Sequence, residues 1–217
     1  MTVDIKFCGL TRPEDAEFAV ALGAAYTGVI FAGGPRMLTP ERANIVLREV
    51  PSSVRRVGVF ADQSVADIAA IVEACHLDVV QLHNAADPQR VTAVRSGVRA
   101  DIWPVVRVSG TELPPIVREL LPLSDGLLLD AFAPGALGGT GVALPWAALA
   151  RALQRVRGNV PIILAGGLRA ENVAEAIAAL TPHVVDVSSG VESAPGIKDH
   201  ERMRAFRDAV THASIPT

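Results

Sequence analysis

The sequence predicts an α/β protein that folds as a single (β/α)8 barrel, a TIM barrel, over residues 1–217. Three observations support this fold class. Eight short runs rich in Val, Ile and Leu recur along the chain, helical patterns separate them, and no Pro/Ser-rich linker divides the chain into domains. The predicted strands lie at about 3–8, 26–31, 55–60, 78–83, 102–108, 125–130, 160–165 and 183–188.

Between these runs, apolar residues recur at spacings of three and four, which predicts amphipathic helices. The clearest sets are Val65, Ile68, Val72 and Cys75; Trp146, Leu149, Leu153 and Val156; and Val173, Ile177 and Leu180. An open doubly wound sheet is the alternative fold. Such a sheet normally carries G-x-G-x-x-G after its first strand, whereas Gly9 stands here without that spacing, so the closed barrel is favoured.

Composition restricts the classes of partner. Hydrophobic residues make up 50% of the chain but aromatic residues only 4%, so the core is built from Ala, Val, Leu and Ile, as in helix-covered parallel sheets. A net charge of −3 without a Lys/Arg cluster argues against nucleic acid. No segment approaches the roughly 18 apolar residues of a membrane span. The first residues lack the pattern of a signal peptide, so we expect a cytoplasmic protein.

The two cysteines, Cys8 and Cys75, show no metal-binding spacing, so we expect free thiols and neither a disulfide nor a metal site. Cys8 ends the first predicted strand, followed by Gly9, which frees the backbone, and Thr11, which can cap a helix. Alternation along this strand turns Ile5 towards the helices and turns Cys8 towards the barrel axis. Cys8 is therefore a candidate general base, particularly if helix N-termini stabilise its thiolate. The alternative is a small buried hydrophobe.

Asp130 follows three leucines at the end of the sixth strand. An apolar setting raises a carboxyl pKa, which makes Asp130 a candidate general acid. The alternative is that Asp130 only caps the next loop. In a barrel all strand ends open on one face, so Asp130 and Cys8 are expected at one pocket.

A phosphate site is predicted after the seventh and eighth strands, where this fold commonly binds phosphate. The candidates are Gly166, Gly167, Ser188, Ser189 and Gly190. Alternatively, the glycines only permit tight turns.

The interval 131–141 is longer than an ordinary connection between a strand and a helix, which predicts a mobile active-site loop. In this loop, Gly139 and Gly141 are candidates for closing over the ligand.

Three further side chains are expected at the pocket. Arg36 follows the second strand in a Gly-Gly-Pro-Arg turn and is a candidate clamp for a substrate carboxylate, although most surface arginines are merely solvated. His83 and Asp186 face inward by strand alternation and are candidate substrate contacts. Asp186 is also expected to form an ion pair with Lys6 where the first and eighth strands meet.

These residues lie in motifs that resemble the phosphoribosylanthranilate isomerase family over nearly the whole chain. The matching motifs are KFCGLT at 6–11, VGVF at 57–60, VQLH at 80–83, LLD at 128–130, GGTG at 138–141, LAGGL at 164–168, DVSSGVE at 186–192 and PGIKD at 195–199. The resemblance implies a (β/α)8 barrel, no cofactor or metal, and an Amadori rearrangement of N-(5′-phosphoribosyl)anthranilate in tryptophan biosynthesis.

By this resemblance, Asp130 is the acid that protonates the ribose ring oxygen, Cys8 is the base that removes the C2′ proton, and Arg36 holds the anthranilate moiety. The chain departs from the family pattern before Arg36, at Val142, where relatives often carry Lys, and at Asn84, where Gly is common. The first departure puts the reach of Arg36 in question.

Two competing functions remain at this point. The barrel isomerase of histidine biosynthesis, or a dual-specificity version, performs similar chemistry but carries Asp at the position of Cys8. The second competing function is that of a barrel that binds a phosphorylated metabolite without turnover. The expected partner is a small phosphorylated molecule, and the expected assembly is a monomer or homodimer.

Overall fold

Eight parallel strands form a closed barrel in the computed structural model, which describes residues 2–84, 87–108, 110–131, 146–155 and 158–213. The strands are β1 (Asp4–Phe7), β2 (Tyr26–Ile30), β3 (Arg55–Phe60), β4 (Val79–Leu82), β5 (Asp101–Val108), β6 (Leu127–Ala131), β7 (Ile162–Ala165) and β8 (Val184–Val187). Each strand pairs with the next, and β8 pairs with β1 to close the ring. The predicted (β/α)8 barrel is therefore confirmed, and the open sheet is wrong.

Helices follow the strands around the outside of the barrel. Those in the described part of the chain are α1 (Pro13–Ala21), α2 (Pro40–Val46), α3 (Val65–Cys75), α4 (Pro88–Gly97), α5 (Val117–Leu120), α6 (Trp146–Gln154), α7 (Ala170–Leu180) and α8 (His200–Thr211). Proline starts α1, α2 and α4, where its missing N–H costs nothing. Side chains cap other helix starts: the Ser64 hydroxyl accepts from the Asp67 N–H at 3.1 Å, and the Asp199 carboxylate accepts from the Glu201 N–H at 3.0 Å.

The prediction that Thr11 caps α1 is wrong. The residue at the cap position is Arg12, which makes no capping hydrogen bond with its side chain. The Thr11 hydroxyl instead donates to the carbonyl oxygen of Gly196 at 2.5 Å. Thr11 therefore ties the start of α1 to a part of the chain far away in sequence.

Strand alternation sorts the buried residues into two layers. Ile5 and Phe7 belong to the large core between the barrel and its helices, where the Phe7 ring meets Phe206 of α8 edge-on with ring centroids 6.3 Å apart. The interior of the barrel holds a smaller apolar cluster, consisting of Val57, Val79, Trp103, Val105, Leu128, Ile163, Ala165 and Val184. This cluster fills much of the barrel interior, and two of its members, Leu128 and Ala165, line a cavity at the open end.

A short hairpin that the sequence analysis did not predict follows β8. It consists of β9 (Glu192–Ala194) and β10 (Ile197–Lys198), which run antiparallel and place Lys198 opposite Glu192. Pro195 and Gly196 form the turn, where Gly196 has a positive φ of 82° that other residues rarely adopt. The hairpin brings two charged residues back over the end of β1.

In the described part of the chain, no helix combines the length and apolar character that crossing a membrane requires.

Candidate active site

A cavity of about 320 Å³ opens at the carboxyl ends of the strands, a volume suited to a small molecule. Most of the predicted site residues line this one cavity: Cys8, Arg36, His83, Asp130, Gly166, Gly167, Asp186, Ser188, Ser189 and Gly190. Of the loop predicted at 131–141, Ala131 ends β6, and residues 132–141, with Gly139 and Gly141, lie outside the described residues. Cys8 and Gly190, which are 182 positions apart, thus share one pocket, because parallel strands bring their ends to the same face.

Cys8 lies directly after β1, with its thiol buried at the mouth of the barrel. Gly9 follows with a φ of 70°, and a Cβ placed there would lie only 2.7 Å from Cδ of Arg36 and 2.9 Å from Oγ of Ser188. The glycine thus lets the side chains of Arg36 and Ser188 pack against the backbone next to Cys8. Burial raises the pKa of the Cys8 thiol, and the positive charges of Lys6 and Lys198 offset only part of that effect. Burial therefore works against the thiolate form of Cys8 in the free pocket.

Lys6 is fully buried beneath Cys8, and its ammonium donates to the Asp186 carboxylate at 2.9 Å. This bond confirms the predicted ion pair between β1 and β8. Although burial opposes its charge, Asp186 raises the pKa of Lys6 above the ordinary value. The pair keeps a positive charge directly below the thiol.

Asp130 lies near the end of β6, opposite Arg107 of β5. Burial raises the pKa of its carboxyl, and the positive charge of Arg107 opposes this rise only in part. The prediction of a raised pKa from the preceding leucines is therefore correct in direction, since Leu128 packs inside the barrel and Leu129 in the outer core. A carboxyl in this setting keeps its proton to a higher pH than an exposed aspartic acid.

His83 and Gln81 present polar atoms without partners at the same cavity. Within the described residues, Nδ1 of His83 and Oε1 of Gln81 are buried and have no hydrogen-bond partner. Burial lowers the pKa of His83, so its imidazole is neutral near pH 7 and holds one donor and one acceptor. These atoms are available to a ligand that carries hydroxyl groups.

The loops after β7 and β8 meet at the cavity edge. Gly166 and Gly167 have positive φ values of 98° and 63°, which turn the chain into α7. A Cβ on Gly190 would overlap the Leu168 carbonyl oxygen, so a glycine is needed for the two loops to pack together. In the described part of the chain the Gly167 N–H makes no hydrogen bond. Together with the start of α7, these loops offer free backbone donors and a positive helix end to an anion.

Arg36 lies in the loop after β2 and lines the cavity, so the departure from the family pattern at this loop does not remove it from the pocket. Its guanidinium makes two hydrogen bonds to the Glu192 carboxylate, from Nε at 2.8 Å and from Nη2 at 2.6 Å. Glu192 is also bound by Lys198. Neither Glu192 nor Lys198 is among the site residues predicted from the sequence. The signal was opposite charges on the two sides of a Pro-Gly turn, which predicts a hairpin with a cross-strand ion pair.

Comparison with known proteins agrees with this geometry. The sequence profile for N-(5′-phosphoribosyl)anthranilate (PRA) isomerase matches residues 5–209. The N-(5′-phosphoribosyl)anthranilate isomerase of Acidithiobacillus ferrooxidans is 44% identical over 206 residues, which cover 94% of this chain and 95% of that protein.

Two crystal structures of such enzymes are similar to the fold. The phosphoribosyl anthranilate isomerase of Thermotoga maritima superimposes with a TM-score of 0.84 at 33% identity, covering 97% of this chain and 99% of that one. A phosphoribosyl anthranilate isomerase in complex with reduced 1-(o-carboxyphenylamino)-1-deoxyribulose 5-phosphate gives 0.81 at 32% identity, with the same coverage. The chain therefore belongs to the N-(5′-phosphoribosyl)anthranilate isomerase family.

Proposed function

We propose that the cavity converts N-(5′-phosphoribosyl)anthranilate into 1-(2-carboxyphenylamino)-1-deoxyribulose 5-phosphate, a step of tryptophan biosynthesis, with Asp130 as general acid and Cys8 as general base. The observation that carries the proposal is the presence of a carboxyl with a raised pKa and a buried thiol in one cavity, beside loops suited to phosphate. The histidine-pathway alternative is disfavoured because a thiol stands where that enzyme carries Asp.

The reaction begins when the Asp130 carboxyl gives its proton to the ribose ring oxygen. The bond from C1′ to that oxygen breaks, and the amine nitrogen shares its lone pair with C1′, which forms an iminium. Because burial raises the pKa of Asp130, the proton needed for this step is retained at a higher pH than in an exposed carboxyl. General acid catalysis of this kind contributes about 10²- to 10⁴-fold in rate.

Cys8 acts in the next step as a thiolate, after its own proton has passed to solvent through the open cavity, and it removes the proton from C2′. The electrons of that C–H bond form a C1′–C2′ double bond, and the iminium electrons return to nitrogen, which gives the enol form of the product. The iminium makes the C2′ proton acidic. Its positive charge also favours the thiolate over the thiol, which opposes the burial that raises the pKa of Cys8 in the free pocket. These steps move protons and internal electron pairs only, so the proposal involves no cofactor.

The remaining residues hold the two ends of the substrate. The phosphate lies at Gly166, Gly167, Ser188, Ser189 and Gly190, where α7 begins and backbone donors are free. At the other end, the guanidinium of Arg36 receives the anthranilate carboxylate. Between them, His83 and Asp186 contact the sugar hydroxyls, which also fits the unpartnered Nδ1 of His83.

The test is turnover of freshly generated N-(5′-phosphoribosyl)anthranilate, followed as falling anthranilate-type fluorescence. We expect the purified protein to consume it, and Cys8→Ala and Asp130→Asn each to lower kcat by about 10²- to 10⁴-fold with little change in substrate binding. Arg36→Met should instead raise KM. A protein that leaves saturating substrate intact is not this isomerase.

Matched controls separate loss of chemistry from loss of structure. Cys75→Ala removes the other buried thiol, which lies on α3 outside the cavity, and Asp208→Asn neutralises a half-exposed carboxylate on α8. Both should keep kcat within about twofold of the parent, as expected for changes away from the site. If Cys8→Ala behaves like Cys75→Ala, Cys8 is not the base. The cytoplasmic location and the choice between monomer and homodimer stay predictions.

A further inference from the structure

The guanidinium of Arg36 is not free in the pocket. Glu192 binds one of its edges, the edge formed by Nε and Nη2, with hydrogen bonds of 2.8 and 2.6 Å. A guanidinium has five N–H donors in a flat fork, so a second carboxylate can bind the edge formed by Nη1 and Nη2. Within the described residues Arg36 makes no other hydrogen bond to a side chain or carbonyl, and it lines the cavity. One edge is therefore fixed and the other remains for a ligand.

Glu192 is itself held from the opposite side by a buried cation. The Lys198 ammonium donates to Oε1 of Glu192 at 2.8 Å, to the Cys8 carbonyl at 2.6 Å and to the Ser188 carbonyl at 3.1 Å. All three of its N–H donors are thereby used. Lys198 thus anchors Glu192 to the backbone at two adjacent strand ends, those of β1 and β8.

The hairpin that carries Glu192 and Lys198 is fixed to the barrel at several points. Arg202 of α8 donates to the Glu192 carbonyl at 2.5 Å, and the Lys198 N–H donates to the buried Asp15 carboxylate at 3.2 Å. The bond from Thr11 to Gly196 holds the turn. These contacts fix the position of the Glu192 carboxylate, so the Arg36 guanidinium takes the orientation in which it binds that carboxylate.

One anion is enough to balance the net charge of Arg36, Lys198 and Glu192. Arg36 and Lys198 contribute two positive charges and Glu192 one negative charge. Burial lowers the pKa of Lys198, and its hydrogen bond to the Glu192 carboxylate opposes this fall and favours the charged ammonium. Although burial opposes its ionisation, hydrogen bonds from Arg36 and Lys198 lower the pKa of Glu192 below the ordinary value, so its charge persists at neutral pH. The net charge of +1 matches a single substrate carboxylate.

We propose that Glu192 is a positioning residue that holds Arg36 by one guanidinium edge, so that the other edge faces the cavity to receive the aromatic carboxylate of the substrate. This inference rests on the proposed function, since it assumes that Arg36 binds that carboxylate. Preorganisation is the physical basis: an unbound arginine side chain loses rotamer freedom when it binds, whereas an arginine fixed beforehand loses less. Glu192 therefore strengthens binding of the carboxylate without touching the substrate.

The test compares two ligands that differ only in the carboxylate. One is the reduced 1-(2-carboxyphenylamino)-1-deoxyribulose 5-phosphate, and the other is the same molecule made from aniline. Their ratio of Kd values, measured by calorimetry, reports the carboxylate preference and cancels effects on phosphate and sugar binding. We expect Glu192→Gln to lower this preference by roughly 5- to 30-fold, and to raise KM for the isomerase substrate more than it lowers kcat.

Arg36→Met supplies the decisive comparison. If Glu192 acts through Arg36, Glu192→Gln should not change the carboxylate preference further in the Arg36→Met background. A merely structural role predicts instead that the two effects add. Glu73→Gln, the same change at an exposed position on α3, is the matched control and should leave the preference unchanged.

A second variant keeps the test decisive if Glu192→Gln is unstable. If Glu192→Gln leaves Lys198 unpaired and the protein unstable, Glu192→Gln with Lys198→Met removes the buried charge as well and should show the same loss of preference. An unchanged or increased preference in either variant overturns the inference, because Glu192 would then be neutral or a competitor for Arg36. A parent protein that turns over substrate and prefers the carboxylate supports the proposed function independently of these variants. If the parent has no preference, both the role of Arg36 and the role of Glu192 are wrong.

Discussion

Replacing Lys6 by methionine isolates the buried ion pair between β1 and β8. The Lys6 ammonium has no exposed surface, and the Asp186 side chain is only 6% exposed. Methionine is similar in volume to the lysine stem, so the change removes the charge and leaves little cavity. The Asp186 carboxylate then remains in the barrel without its partner.

Leaving one member of a buried pair alone costs about 3–5 kcal/mol in the free energy of unfolding. Because Asp186 reaches the cavity, where water can solvate one side of it, we expect the low end, about 3 kcal/mol. With a urea m-value of about 3 kcal/mol/M for a chain of this size, the midpoint should fall by about 1 M. Lys6→Met with Asp186→Leu removes both charges and should recover most of this loss, since replacing a whole buried pair by apolar residues is often neutral.

The assay is urea unfolding followed by the fluorescence of Trp103, which is buried inside the barrel. A second readout is the rate at which iodoacetamide alkylates Cys8 as a function of pH. Lys6 lowers the pKa of Cys8, so its removal should raise that pKa and slow alkylation at any pH below it. If the double variant is as unstable as Lys6→Met alone, the unpaired carboxylate is not the cause of the loss. An unchanged alkylation profile would refute the charge coupling to Cys8.

Three further predictions follow from the pocket and the core. Turnover needs a protonated Asp130 and an ionised Cys8, so the pH profile of kcat/KM should be bell-shaped. Below the pKa of Asp130, Asp130 and Cys8 are both protonated and Cys8 cannot accept a proton. Above the pKa of Cys8, both are ionised and Asp130 has no proton to give. Both pKa values are raised, so both limbs should lie at higher pH than for an exposed carboxyl and thiol, and an acid limb at the ordinary carboxyl value contradicts this. Gly190→Ala places a methyl group against the Leu168 carbonyl and should weaken binding of inorganic phosphate at least about tenfold, so equal phosphate affinity by calorimetry excludes the assigned loop. Phe206→Ala empties a fully buried position and should lower the free energy of unfolding by about 3–5 kcal/mol; a loss below about 1 kcal/mol in urea unfolding would mean that the core collapses to fill it.

The barrel was predictable because its signals are local and repeated. Each strand is a short apolar run, and the two-residue alternation that turns Ile5 outward and Lys6 inward is a property of the strand alone. The same alternation predicted the pairing of Lys6 with Asp186, because a closed barrel makes the first and last strands neighbours. Local pattern and closed topology together were enough to locate the pocket.

What the sequence did not predict depends on distant partners. The direction in which the pKa of Cys8 shifts could not be predicted from the sequence, because the burial that raises this pKa depends on packing from several strands rather than on neighbours in the sequence. Arg36 and Glu192 are 156 positions apart, and nothing near either residue specifies the other. Thr11 looked like a helix cap by its position, but it found a partner 185 residues away.

The pairing of β1 with β8 also bears on how the enzyme is made. β1, which Cys8 directly follows, leaves the ribosome before the other strands of the barrel, and Asp186 of β8 comes 180 residues after Lys6 of β1. Until then β1 has one open edge, and the Lys6 ammonium lacks the carboxylate that makes its burial tolerable. Closing so long a loop is slow relative to local folding. We therefore expect the nascent chain to acquire its catalytic pocket only when β8 docks, so that completion of the fold and onset of activity are the same event.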